Sequence, residues 1–130
     1  MILADTSVWI DYLNGLETNH TNLLDDAIRD GVLGMGDFIL LEILQGVRHQ
    51  REYRQTKKAL LMLDVHPMLD AELALQSADN YRKLRRQGFT IRKTADVIIA
   101  TFCISMGWQL LFSDRDFVPF TRLGLQAVVI

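Results

Sequence analysis

The chain has 130 residues, 49% hydrophobic and 23% charged, which suits a single domain over 1–130 with a sizeable core. Its 14 Lys and Arg face 16 Asp and Glu, a net charge of −2, so neither a strongly basic nucleic-acid coat nor a disordered acidic tail describes the whole chain. One cysteine excludes an internal disulfide and a cysteine-rich zinc site, and the three scattered histidines (His20, His49, His66) leave carboxylates to hold any metal.

The apolar run Ile2–Ala4 reads as a short strand that stops at Asp5. Val8, Ile10, Tyr12 and Leu13 fit a short helix ended by Asn14-Gly15. Leu23, Leu24, Ala27 and Ile28 space as a second helix, stopped by Gly31. Val32–Met35 suits a strand, and Asp37 reads as the N-cap of a helix over Phe38–Val47, broken by Gly46. A polar helix follows from Gln50 to Leu63, then a proline-bearing edge strand at Val65–Met68. Asp70–Gln87 is a long helix stopped by Gly88, and Thr94–Met106 is the most apolar helix, stopped by Gly107. Leu110–Phe112 and Ala127–Ile130 read as the last strands. This alternation predicts an α/β fold: a three-layer sandwich with a central, mainly parallel sheet of four to five strands. The longest apolar runs fall far short of the roughly 20 residues that span a bilayer, and no basic region precedes Ile2–Ala4. The expectation is a soluble, cytoplasmic protein without a membrane role.

Most of the acids fall on polar helix faces or at helix ends, where solvation or capping accounts for them. Four keep unusual company. Asp5 follows the first strand, and Glu42 sits inside the apolar run Phe38–Leu44. Asp96 opens Val97-Ile98-Ile99-Ala100, and Asp114 follows the Leu110–Phe112 strand. Capping or dipole arguments explain each alone. Together, Asp5, Asp96 and Asp114 begin or precede helices at one expected edge of the sheet, and Glu42 can reach that edge from a neighbouring helix. Clustered carboxylates repel and raise one another's pKa, and a bound divalent cation removes the conflict. Oxygen-only ligands select a hard ion, Mg²⁺ or Mn²⁺.

The segment Met1–Leu13 resembles the opening of the PIN-domain ribonucleases, specifically the VapC-type toxins of type II toxin–antitoxin pairs. Leu41–Gly46, Ile91–Ala100 and Leu110–Phe117 resemble the second, third and fourth motifs of that family, in order and across essentially the whole chain. The resemblance implies a Mg²⁺- or Mn²⁺-dependent endoribonuclease with Asp5, Glu42, Asp96 and Asp114 as its catalytic, metal-holding quartet. Asp116 stands at the site's edge and assists through water. Thr6 and Ser7 match hydroxyl positions that order the pocket, and Ser113 stands where such proteins often carry Thr or Asn. Water would attack the phosphodiester in line, leaving a 5′-phosphate and a 3′-hydroxyl. The resemblance also implies a cognate VapB-type antitoxin, a homodimer, an RNA substrate such as tRNA or another structured RNA, and DNA contact only through the antitoxin.

Six of the 14 basic residues fall within Arg82–Lys93, directly before Asp96. Arg85, Arg86, Arg92 and Lys93 are candidate phosphate contacts, against the plainer reading of a solvated helix end. Arg48, Arg51, Arg54, Lys57 and Lys58 read as a solvated face. Trp9, Tyr12, Phe38 and Trp108 read as packing rather than base-stacking residues, and Cys103 as a buried, inert thiol. Two other readings stand beside the toxin. One is a PIN nuclease of RNA processing. The other is a non-catalytic, Mg²⁺-binding receiver-like module, which the lack of a clear Lys after a late strand disfavours.

Overall fold

The strand β1 (Ile2–Ala4) is the centre of a five-stranded sheet in the computed structural model, which describes residues 1–130. The order is β3 (Val65–His66), β2 (Leu33–Gly36), β1, β4 (Gln109–Leu111), β5 (Gln126–Ala127), and every pairing is parallel. Leu3 and Ala4 are fully buried, and β1 is apolar along its whole length, as expected of a parallel strand covered on both faces. Leu3 pairs with Gly34 on one side and with Leu110 on the other. The chain builds outward from β1 through β2 and β3, then returns to build β4 and β5 on the opposite side. The strand order therefore switches between β1 and β4, and ligands bind beyond the carboxyl ends of strands at such a switch point.

Six α-helices flank the sheet: α1 (Thr6–Leu13), α2 (Asn19–Arg29), α3 (Asp37–Gln45), α4 (Gln50–Leu60), α5 (Ala71–Arg86) and α6 (Thr94–Met106). The helix α1 packs on α2 and α3, while α5 and a 3₁₀ segment, Arg115–Leu123, pack on α6. Every residue of α6 from Asp96 to Cys103 is buried. That explains why it is apolar all round rather than on one stripe. No helix is long and apolar enough to cross a membrane.

The structure departs from the sequence reading at several boundaries. Asp37 is the first residue of α3 rather than its N-cap; Gly36 holds the cap position without a side-chain hydrogen bond. The Asp37 carboxylate instead accepts from the backbone N–H of Met68 at 3.0 Å, tying α3 to the segment after β3. The helix α4 ends at Leu60, not Leu63, because the chain tightens into turns (Met62 N to Ala59 O, 3.2 Å; Leu63 N to Leu60 O, 3.1 Å) before entering β3. That strand stops at His66, since Pro67 has no N–H to continue the ladder. In β2 the two glycines are required by close approach: a Cβ on Gly34 would lie 2.6 Å from the Trp108 ring, and one on Gly36 would overlap the Met68 sulfur. The 3₁₀ segment buries Phe117 and Phe120, three residues apart and so on one face of a 3₁₀ turn, with Pro119 between them.

Candidate active site

Asp5 leaves the end of β1 and caps α1. Its Oδ2 accepts from the Ser7 hydroxyl at 2.6 Å and from the Ser7 backbone N–H at 3.4 Å. Both Ser7 bonds fall on one oxygen. The backbone N–H of Asp5 donates to Leu111 O at 2.9 Å, which joins the exits of β1 and β4. Asp114 lies just past β4, in the N-cap position of the 3₁₀ segment, and its Oδ1 accepts from the Asp116 N–H at 2.9 Å. Asp96 sits in the first turn of α6, where the helix dipole favours negative charge.

Asp96, Asp114 and Asp116 each place a carboxylate oxygen within 4.8 Å of the others. Asp96 is 5% exposed, and its Oδ2 is buried with no hydrogen-bond partner. Burial, then repulsion from Asp5, Asp114 and Asp116, raises its pKa to about 6, against a smaller opposing pull from Lys93. Burial also raises Asp5, which Ser7 and Thr6 oppose through hydrogen bonds and Asp114 reinforces by repulsion. An unpaired buried carboxylate costs free energy unless something compensates it. The donor set is all oxygen, and the residues fit a hard divalent cation.

The predicted residues are therefore not all equally close. Asp116, expected at the edge, contributes to the tight group of three. Asp5 is within electrostatic reach of Asp96 and Asp114. Glu42 stands apart from that group, on α3, where its Oε1 accepts from the Thr6 hydroxyl at 2.6 Å. It is joined to the site through the residue beside Asp5. Ser7 orders Asp5 and Thr6 orders Glu42, while Ser113 is exposed at the end of β4.

The basic residues divide likewise. Arg92 Nη2 lies 3.1 Å and 3.3 Å from the two Asp116 oxygens, and Lys93 Nζ lies 3.9 Å from Asp114 Oδ2. Arg85 donates to the Thr90 hydroxyl at 3.0 Å, and Arg86 is exposed beside it on α5. Direct pairing of Arg92 and Lys93 with the acids was not foreseen; the signal was their place three and four residues before Asp96. Trp9 and Trp108 are buried, and the Tyr12 hydroxyl donates to Asp25 at 2.7 Å, so these rings pack rather than face solvent freely.

The family model described as PIN domain matches residues 2–123. The chain belongs to the PIN-domain family. Among PIN-domain relatives, the chain is 31% identical over 137 aligned positions to ribonuclease VapC11 of Mycobacterium tuberculosis, covering 98% of this chain and 97% of that protein. The same figures hold for VapC ribonuclease Mb1587 of Mycobacterium bovis. Among solved structures, the PIN fold here resembles FitAcB from Neisseria gonorrhoeae (TM-score 0.78, 16% identity, 98% and 96% of the two chains). It also resembles VapBC2 from Rickettsia felis, solved bound to a DNA fragment from its promoter (TM-score 0.74, 19% identity, 98% of both chains).

Proposed function

We propose that this PIN-domain protein is a divalent-cation-dependent endoribonuclease, the toxin of a VapBC-type pair. The observation that carries the reading is the buried, partnerless oxygen of Asp96 among acids gathered at the sheet's switch point. The VapC ribonuclease relatives, aligned over nearly the full chain, support it.

Asp5, Asp96, Asp114 and Asp116 hold Mg²⁺ or Mn²⁺, directly or through water, with Glu42 as the fourth member of the quartet beside Asp5, Asp96 and Asp114. When bound, the cation lowers the pKa of an attacking water and offsets charge on the scissile phosphate. Ser7 fixes Asp5, and Thr6 fixes Glu42, so that neither carboxylate has to reorganise as charge develops. The crowded acids keep the pocket free of RNA phosphate until a cation is present.

The substrate is tRNA or another structured RNA, and its cleavage stops translation in the cytoplasm. The partner is a VapB-type antitoxin, which supplies DNA contact, and the toxin pairs as a homodimer. Neighbours of the same fold include a toxin–antitoxin complex from Klebsiella pneumoniae and DNA-bound VapBC from Salmonella typhimurium. A groove between α1, α3 and α4, lined by Ile10, Leu13, Ile43 and Val47 with Arg48 and Glu52 at its rim, suits an antitoxin segment. Sequencing of RNA 5′ ends after brief induction tests the function. New 5′ ends confined to tRNA or another structured RNA are expected; unchanged 5′ ends across all RNA would reject the nuclease.

A further inference from the structure

The two cations that enter the acidic site are held there weakly. Arg92 reaches both Asp116 oxygens through a single nitrogen, not through the two-pronged fork that makes arginine–carboxylate pairs strong. Lys93 stands 3.9 Å from Asp114, at the outer limit of an ion pair. Their side chains are 73% and 62% exposed, where water and salt screen such pairs and leave them weak. They also leave the group uncompensated, since Asp96 Oδ2 still has no partner.

Lys93 is a poor residue for its position. It occupies the N-cap of α6, makes no capping hydrogen bond there, and places positive charge at the positive end of the helix dipole. A residue that breaks a local rule without local gain points to function.

We propose that Arg92 and Lys93 are exchangeable internal counter-ions, which neutralise Asp116 and Asp114 in the cation-free protein and transfer to RNA phosphates once a divalent cation takes those carboxylates. The inference rests on reading the acidic group as a cation site. Cation binding and RNA binding then reinforce each other, because each removes a competitor of the other. Both side chains are exposed, on the two residues that precede α6.

Two measurements test this, in wild type and in the Arg92→Ala, Lys93→Ala double variant. Both residues are exposed, so the fold tolerates the change. By titration calorimetry at low salt, the double variant should bind Mn²⁺ several-fold to about tenfold tighter, a difference that shrinks as salt screens the pairs. Equal or weaker Mn²⁺ binding would overturn the exchange and leave the cation site standing. Absence of Mn²⁺ binding by wild type would overturn both. The second measurement follows binding of a labelled RNA oligonucleotide to both proteins by stopped-flow fluorescence, at times before cleavage. Saturating Mn²⁺ should steepen the log–log salt slope of RNA binding by about 1.4, roughly 0.7 for each added phosphate contact. The double variant's slope should not respond to Mn²⁺; an equal response in both proteins would overturn the proposal.

Discussion

The Thr6 hydroxyl donates to Glu42 Oε1 across 2.6 Å, linking residues 36 positions apart and fastening α3 to the first turn of α1. Thr6 follows Asp5 directly, so this one bond sets Glu42 relative to the exit of β1. Thr6→Val keeps the shape and removes the donor. It should lower cleavage by about 10- to 100-fold, the usual effect of losing a group that orients a ligand. Thr6→Ser should restore most of it. Initial rates on one RNA substrate compare the three proteins; equal rates in Thr6→Val would separate Glu42 from the chemistry.

The raised pKa of Asp96 makes stability depend on pH in a definite direction. Below the ordinary value of 3.8 the group is protonated in folded and unfolded chains alike and contributes nothing. Between 3.8 and about 6 the unfolded chain releases the proton while the folded one keeps it, so stability falls as pH rises through that window. Above it the loss is complete, at most about 3 kcal/mol. Thermal melts in chelator should show wild type losing more stability than Asp96→Asn between pH 5 and 7.5. Mg²⁺ at pH 7.5 should raise the wild-type Tm and leave Asp96→Asn nearly unchanged.

Gly34→Ala should destabilise without touching the site. Its Cβ would meet the Trp108 ring at 2.6 Å, and that ring is itself wedged edge-on against Phe102 and His66. Overpacking of this kind costs about 1–3 kcal/mol, which urea melts resolve. An unchanged midpoint would mean that Trp108 moves freely.

Burial pushes the Cys103 thiol up to about 12, and the side chain is fully enclosed. Iodoacetamide at pH 8 should leave it unlabelled in the native protein and modify it in guanidinium. Rapid native labelling would contradict the packing around α6.

Much of the fold was legible because its strands and helices carry their own punctuation. Gly107 adopts φ +69° and ends α6 where its place after Met106 predicts. The parallel sheet follows from short apolar runs separated by helical spacing. The 3₁₀ segment was illegible for a physical reason: one apolar pair three residues apart, Phe117 and Phe120, suits a 3₁₀ turn and an α-helix alike, and Pro119 between them breaks the helical pattern. Asp37 misled because a capping residue and a long-range acceptor look alike in sequence; Met68, 31 positions away, decided between them. At the site, the acids stood out by their position after strands and before a buried helix. Their spacing did not separate the close trio of Asp96, Asp114 and Asp116 from Glu42, since that depends on where α3 lies beside α1.

On this reading, carboxylates at the exits of β1 and β4, and at the start of α6, hold a divalent cation that cleavage of RNA requires. Cleavage of RNA by wild type and Asp5→Asn, each in Mg²⁺, Mn²⁺ and excess chelator, tests it most directly. Activity is expected only for wild type with a divalent ion, with Asp5→Asn folded but inactive. Full activity in chelator, or in Asp5→Asn, would contradict it.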